Sequence, residues 1–258
     1  MKVTFLIYRK EMLEMLRNYK LLWIPVVFVL LGVTQPLSSY YLPELLQASG
    51  QIPAELVDSF PVPGPSEVMI QVLSQYSLIG LLVIVIAGMN LVAGELYGGT
   101  AALVLVRPVK SAQFIIAKWA GYFSLVVISF VLSYGSAWYY TSLLQGTVSW
   151  REALAAGGLY VIWFSFAVSL TLLCSTLLRG SAAAVVSLLV IGLLSVTHGL
   201  VPAWLAWSPA HLLTVAAGHL AEPQAAENSV VPVAVTLLLC LLFIAAASWS
   251  LRRQGVSD

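Results

Sequence analysis

The polar residues with the most suggestive spacing fall in one stretch, residues 94–118, which reads GELYGGTAALVLVRPVKSAQFIIAK. Glu95 opens this stretch at the end of a long apolar run. Residues that break, cap or end helices follow in chain order: Gly98, Gly99, Thr100, Arg107, Pro108 and Ser111. This order predicts a short helix held crosswise at a membrane surface. An ordinary structured turn remains the alternative interpretation of the residues alone.

A second group of polar residues lies inside the apolar runs. Its members are uncharged and recur at helical spacing: Asn90, Ser129, Ser133, Ser136, Ser165 and Ser169. Such stripes most often serve helix packing in a membrane. The alternative is a weakly polar lining for an amphipathic substrate, and these six residues are therefore the candidate substrate pathway.

Enzymatic chemistry finds little support in the sequence. An intramembrane Ser–His dyad like that of six-span rhomboid proteases could be built from Ser136 and His198. The Gly-x-Ser-Gly pattern of that class is absent, because residues 134–137 read YGSA. A metal site at His211 and His219 is weakly indicated, since zinc ligands usually lie closer together in sequence. We predict no catalytic, cofactor-binding or metal-binding residues.

ATP hydrolysis by this chain is excluded by its lysines. A P-loop requires Gly-Lys followed by Ser or Thr, because the lysine and the backbone amides hold the phosphates. The five lysines follow Met, Arg, Tyr, Val and Ala, so no Gly-Lys pair exists. Any ATP-driven process must therefore use another polypeptide.

Six charge-free runs must position these residues. They cover residues 21–43, 68–94, 119–150, 153–178, 180–221 and 228–251. A helix crosses the hydrocarbon core with about 20 apolar residues, so each run is long enough to span a bilayer. With 60% hydrophobic and 9% charged residues, the 258-residue chain is predicted to be one all-α integral membrane domain, residues 1–258. The predicted spans are Leu21–Tyr41, Ser74–Ala93, Trp119–Leu143, Ala155–Leu178, Ala182–Val201 and Val231–Leu251.

The connections on the two sides of the membrane differ in their content of basic residues. Of the twelve Lys and Arg residues, all except Arg151 fall on the side of the N-terminus. The positive-inside rule therefore predicts that both termini and residues 94–118 are cytoplasmic, and that 42–73 and 203–229 are extracytoplasmic. Prolines in 42–73 argue against a long helix there. For 203–229 we predict short re-entrant helices before the last span, because a seventh span would reverse the end of the chain.

The first twenty residues form a separate element. Phe5, Met12, Met15, Leu16 and Tyr19 recur at helical spacing, with charged residues between them. The pattern predicts an interfacial amphipathic helix over 1–20. It either anchors the chain or also contacts a cytoplasmic partner.

Together these features resemble the ABC-2 type transporter permeases. The inner loop of those proteins commonly reads Glu-Arg-Glu-x-Gly-Thr, then a hydrophobic helix, then Arg-Pro-Val. The present chain matches it at Glu95, Gly99, Thr100, Arg107, Pro108 and Val109, and departs at Leu96 and Tyr97. The amphipathic elbow helix, the six spans and the re-entrant helices extend the resemblance over nearly the whole chain.

The resemblance implies a function that the residues alone do not give. Residues 94–118 would hold a coupling helix that docks on a separate ABC ATPase, present in two copies and carrying ATP and Mg. The residues implied in coupling are Glu95, Gly99, Thr100, Arg107, Pro108 and Lys110. The chain would be the permease of a bacterial exporter for peptides, drugs or lipid-linked molecules, working as a dimer with a second permease, most simply a homodimer. A membrane scaffold, an assembly factor or a secondary transporter are the alternatives.

Overall fold

The computed structural model describes residues 2–49, 63–97, 110–222 and 229–253. The described residues are helices joined by turns, and six helical segments are long and apolar enough to cross a membrane: Lys20–Leu42, Pro65–Leu96, Ser111–Leu144, Trp150–Leu177, Gly180–Leu200 and Val230–Arg253. The prediction of an all-α membrane protein with six spans is confirmed. We call the end of the bundle that holds the N-terminal helix, Lys110, Arg179 and Arg252 the basic face.

The predicted N-terminal helix is present as α1, Lys2–Arg17. It packs on the third span through Ile7 and Met15, and Phe5 and Leu16 are exposed on its other sides. Tyr19, with φ of 55°, then turns the chain into the first span, α2, Lys20–Ser49. The helix is thus held by the bundle on one side, while its exposed apolar side chains suit the membrane interface.

The boundaries of the first two spans differ from the predicted ones. α2 continues through Pro43 to Ser49, and the second span begins at Pro65 rather than at Ser74. Proline is well tolerated at the first position of a helix, where its missing N–H would have no intrahelical partner, and Gly64 precedes it here. Prolines in the outer loop therefore did not exclude helix at either end of it.

The second span is assembled from pieces. α3, Pro65–Gln75, passes through a π-helical segment, Tyr76–Gly80, into α4, Leu81–Gly88. Turns at residues 89–92 then break the helix, and α5, Ala93–Tyr97, completes the span. Single π-helical turns inside α-helices are often found at functional sites.

The third and fourth spans form the centre of the bundle. They are α6, Ser111–Leu144, and α7, Trp150–Leu177, and the fourth span is the most buried of the six. An aromatic cluster joins them to the first two spans: Phe28, Tyr76, Phe130, Tyr134, Tyr160 and Phe164. In lipid, close packing of this kind replaces the hydrophobic effect as the force between helices.

The fifth and sixth spans lie at the periphery. They are α8, Gly180–Leu200, and α10, Val230–Arg253. Between them, turns from Pro202 lead into the short helix α9, His211–Ala221, which packs on α7 and α3. A short buried helix before the last span agrees with the predicted re-entrant segment; residues 223–228 of that segment lie outside the described residues.

Candidate functional site

The candidate site starts from the break in the second span. A break inside a membrane leaves backbone groups unpaired, and two neighbouring spans pair them here. The Ser175 hydroxyl of α7 accepts the N–H groups of Val92 (3.0 Å) and Ala93 (3.1 Å) and donates to the Met89 carbonyl (2.8 Å). Lys20 donates to the Ala87 carbonyl at 2.8 Å. The break is therefore a fixed tertiary feature that begins a new helical turn carrying Glu95.

Glu95 points from this turn into a buried cluster of charges at the basic face. Its carboxylate lies 3.2 Å from the Lys118 ammonium group of α6 and accepts a short hydrogen bond from Lys10 of α1. Only 8% of Glu95 is exposed. A carboxylate with so little water must be paired, and two elements distant in sequence supply the cations.

Lys118 is the centre of the cluster, with 1% of its surface exposed. Its ammonium group donates to both oxygens of Glu11 at 2.9 Å and lies 5.1 Å from the centre of the Phe114 ring. Glu11 is itself 5% exposed. Charge-assisted bonds of this length in a poorly solvated site are much stronger than surface ion pairs.

α1 supplies the outer part of the cluster. Lys10 also lies 3.4 Å from Glu11 and 3.3 Å from Glu14, one turn further along the helix. Burial opposes the charge on Lys10, but its hydrogen bond to Glu95 and the charges of Glu11, Glu95 and Glu14 outweigh this effect. They raise the pKa of Lys10 above its ordinary value, so the lysine is fully charged at neutral pH.

The three carboxylates converge closely enough to suggest a metal site, with one oxygen of each within 4.8 Å of the others. The oxygens of Glu11, Glu14 and Glu95 already face the ammonium groups of Lys10 and Lys118. The carboxylates are thus already paired with protein cations, and they suit a structural ion-pair network better than a divalent cation.

The network therefore ties three elements together at the basic face. Glu95 stands three residues before residues 98–109, and Lys118 stands nine residues after them. Both ends of that connection are thus joined through charges to Glu11 and Lys10 of α1.

Only part of the predicted coupling set can be placed. Glu95 lies in the network, and Lys110 is exposed just before α6. The remaining members lie outside the described residues: Gly99, Thr100, Arg107 and Pro108. Their role in coupling stays a prediction.

The sequence analysis missed Glu11, Lys10 and Lys118 as site residues. A signal for Glu11 was present, because it stands between Ile7 and Met15 at spacings of four and so interrupts the buried stripe of α1. Lys118 gave a weaker signal, as a single cation one turn after the buried Phe114.

The candidate substrate-pathway residues do not share one surface. Ser129 and Ser133 are fully buried, Ser165 is 5% exposed and Ser169 is buried, whereas Ser136 is partly exposed and Asn90 is exposed near the basic face. Within their own helices, Ser129 donates to the Leu125 carbonyl and Ser136 to the Leu132 carbonyl. A pathway along them remains a prediction.

Ser133 instead marks a close junction of three spans. Its hydroxyl lies 2.5 Å from the Tyr76 hydroxyl of the π-helical segment and donates to the Phe28 carbonyl of α2. The first span fits here because Gly32 has no side chain. A Cβ atom on Gly32 would lie 2.5–2.6 Å from atoms of Ser133 and Tyr76.

The histidines have structural neighbours. His198 Nε2 lies 3.1 Å from the Thr214 hydroxyl, and the His198 and His211 rings meet edge to face with centres 5.2 Å apart. Ser136, the other member of the dyad considered above, uses its hydroxyl within its own helix.

Comparison with known proteins gives one family and one close relative. A family model described as "ABC-2 family transporter protein" matches residues 5–256. The chain is also 34% identical over 254 residues to the uncharacterized transmembrane protein YxlG of Bacillus subtilis (strain 168), an alignment that covers 98% of each chain.

Proposed function

Because the chain belongs to the ABC-2 family of transporter proteins, we propose that it is the membrane-spanning permease subunit of an ATP-driven exporter. The family supports a role as a membrane component of an ABC transporter. The exporting direction, the separate ATPase in two copies and the second permease copy are parts of our proposal.

One observation carries the coupling part of this proposal. The buried network of Lys10, Glu11, Glu95 and Lys118 joins both ends of the 98–109 connection to α1. A cytoplasmic ATPase that contacts this connection would push on a rigid unit made of α1, α5 and the start of α6. ATP and Mg bound by the ATPase would provide the energy, and this chain would provide only the mechanical response.

The proposed movement reaches the core of the bundle by a second route. α5 is bonded to the fourth span through Ser175, and Lys20 bonds the same break to the first span. A displacement of α5 is therefore transmitted to the first and fourth spans without crossing a flexible segment. Alternating exposure of a pathway between two permeases would follow from this motion.

We propose an amphipathic or hydrophobic cargo. Described charged side chains cluster at the ends of the spans, and the middle of the bundle is built of apolar, aromatic and hydroxyl residues. A small ion would find few groups there to replace its hydration shell. Molecules such as lipophilic drugs, membrane-active peptides or lipid-linked precursors suit this interior.

Coupling can be tested with Glu95→Ala in the complex reconstituted with its ATPase. The variant should still insert, because the apolar part of each span is intact, but transport per ATP hydrolysed should fall. Glu67→Ala is the matched control, since Glu67 is an exposed carboxylate at the other end of the same span. Equal transport per ATP for Glu95→Ala and wild type at equal abundance would refute the proposed coupling role.

The ATPase partner and the orientation need separate tests. Purification in mild detergent from the native host should recover an ATP-binding protein with the chain, and activity of the chain alone would favour a scaffold or secondary transporter.

For orientation, Lys110→Cys and Thr147→Cys can be compared, because both positions are exposed in opposite loops. In a background lacking Cys174 and Cys240, an impermeant thiol reagent should label only position 147 in intact cells.

A further inference from the structure

A large groove lies on the outside of the bundle, and none of the charge-network residues lines it. It lies between α6, α7 and α10 and has a volume of about 540 Å³. Pockets that take ligands of drug size range over about 300–1,000 Å³, so the groove is large enough for a molecule. Three stripes of apolar side chains form most of its wall, represented by Trp119 and Phe123 of α6, Ile162 of α7, and Leu241 and Ile244 of α10.

The polar atoms at the floor of the groove are already paired within the protein. Trp119 donates its indole N–H to the Ser169 hydroxyl at 2.8 Å, and Ser169 donates to the Ser165 carbonyl at 2.7 Å. The Ser165 hydroxyl donates to the Ile162 carbonyl at 2.7 Å and lies 3.4 Å from the Cys240 sulfur. The groove therefore offers a ligand a hydrocarbon surface, and water would gain no hydrogen bonds in it.

Cations lie beyond one end of the groove. Arg252 follows Ile244 by eight residues on α10, or about 12 Å along the helix, and Lys110 precedes Ile116 by six residues, or about 9 Å. Both side chains are exposed at the basic face. The groove thus runs from the membrane interior towards a positively charged rim at the level of the lipid headgroups.

We propose that this groove binds an acyl chain of an anionic phospholipid from the leaflet beside the basic face. The chain lies against Trp119, Phe123 and Ile244, and the phosphate interacts with Lys110 and Arg252. The apolar walls favour a hydrocarbon chain, and the positively charged rim favours a lipid with a negatively charged headgroup. The site uses none of the charge-network residues, and lipid binding is measured on the purified chain without an ATPase, because Lys110 also belongs to the predicted coupling set.

The test uses phosphatidylglycerol with a photoreactive acyl chain, added in trace amounts to phosphatidylcholine vesicles containing the purified full-length chain. After illumination, crosslinks are mapped by mass spectrometry. We expect them to concentrate on residues 237–244 and 161–165. Leu189 and Leu193 provide the internal reference, because they are exposed on the surface of the fifth span and do not line this groove.

Headgroup selectivity distinguishes the site from the ordinary lipid annulus. Each cation near the surface favours an anionic lipid by about fivefold, so replacing both Lys110 and Arg252 with Gln should reduce groove crosslinking about 30-fold at most. Arg151→Gln is the matched control, since Arg151 is an exposed cation at the opposite end of the bundle. It should leave groove crosslinking unchanged.

Three results would overturn the proposal. One is crosslinking spread evenly between the groove and the fifth span. Another is equal groove crosslinking by a phosphatidylcholine probe with the same photoreactive chain. The third is a groove that takes no lipid but crosslinks to a second copy of the chain, which would make it a subunit interface. Ile162→Trp gives an independent check, because a correctly folded variant with a filled groove should lose the groove crosslinks alone.

Discussion

Replacing Lys118 with Met should destabilise the protein more than any other single loss of a lysine in the described chain. The substitution keeps an unbranched side chain of similar length but removes the cation between Glu11 and Glu95. The cluster of three carboxylates and two ammonium groups then changes from one excess negative charge to two. Removing one partner of a buried ion pair costs about 3–5 kcal/mol, because the other charge stays in a poorly solvated site.

This cost is large enough to measure on the purified chain. For a chain of this size, 1 kcal/mol lowers the melting temperature by about 2–4 °C, so Lys118→Met should lower it by about 6–20 °C in mild detergent. Lys110→Met is the control. It removes an exposed lysine eight residues earlier and should change stability by less than about 0.5 kcal/mol.

A double-mutant cycle gives the sharper test. Glu11→Gln combined with Lys118→Met removes a carboxylate and an ammonium group together, which restores the original charge balance of the cluster. The double variant should therefore be more stable than Lys118→Met alone, even though it carries an additional substitution. If the two single losses instead add to within about 0.5 kcal/mol, Glu11 and Lys118 are not energetically coupled and the buried network is refuted.

Three further predictions concern packing and pH. Ser175→Ala should lower the free energy of unfolding by more than about 2 kcal/mol, because it removes the acceptor of two buried N–H groups at the break. Ser129→Ala is the control, since it loses only a bond within its own helix. The melting temperatures of the two variants test this difference. Gly32→Ala should lower the free energy of unfolding by about 1–3 kcal/mol, because the added Cβ would overlap the junction of three spans. Gly135→Ala is the control, since its Cβ enters open space, and it should be neutral or slightly stabilising. The difference in unfolding free energy between wild type and Lys10→Gln should be constant between about pH 7 and pH 9 and shrink only above about pH 10. The reason is that a lysine with a raised pKa in the folded state stabilises the fold fully at pH values below its ordinary pKa. A steady decline of this difference between neutral pH and pH 9 would contradict the raised pKa of Lys10.

The number and type of the membrane spans could be predicted because a helix that crosses the hydrocarbon core needs about 20 predominantly apolar residues in a row. Each charge-free run is long enough to cross the bilayer, and each one overlaps a span of the structure. The start of the second span was misplaced because proline has two opposite effects. Pro65 was interpreted as a helix breaker, yet it stands at the first turn of the helix, where its fixed φ favours helix.

The candidate site could be predicted only where its residue lay in a local pattern. Glu95 was found because it ends an apolar run before two glycines. Its partners could not be found in that way, since Glu11 and Lys118 are separated by 107 residues and long-range pairing leaves no periodic signal. The sequence analysis counts Lys118 only among the basic residues that predict orientation and Glu11 only among the charges of the amphipathic helix, whereas tertiary packing buries both of them together.

The break in the second span has a consequence for how the chain is made. Ser175, which pairs the exposed backbone of the break, lies 83 residues after Val92 and is synthesised long after the second span has reached the membrane. Until then the N–H groups of Val92 and Ala93 lack this acceptor, so the nascent second span should remain a continuous helix through residues 89–92. The arrival of the fourth span then makes the broken form favourable. The site at Glu95 is therefore completed late in biogenesis, and a chain truncated before the fourth span should insert correctly without forming it.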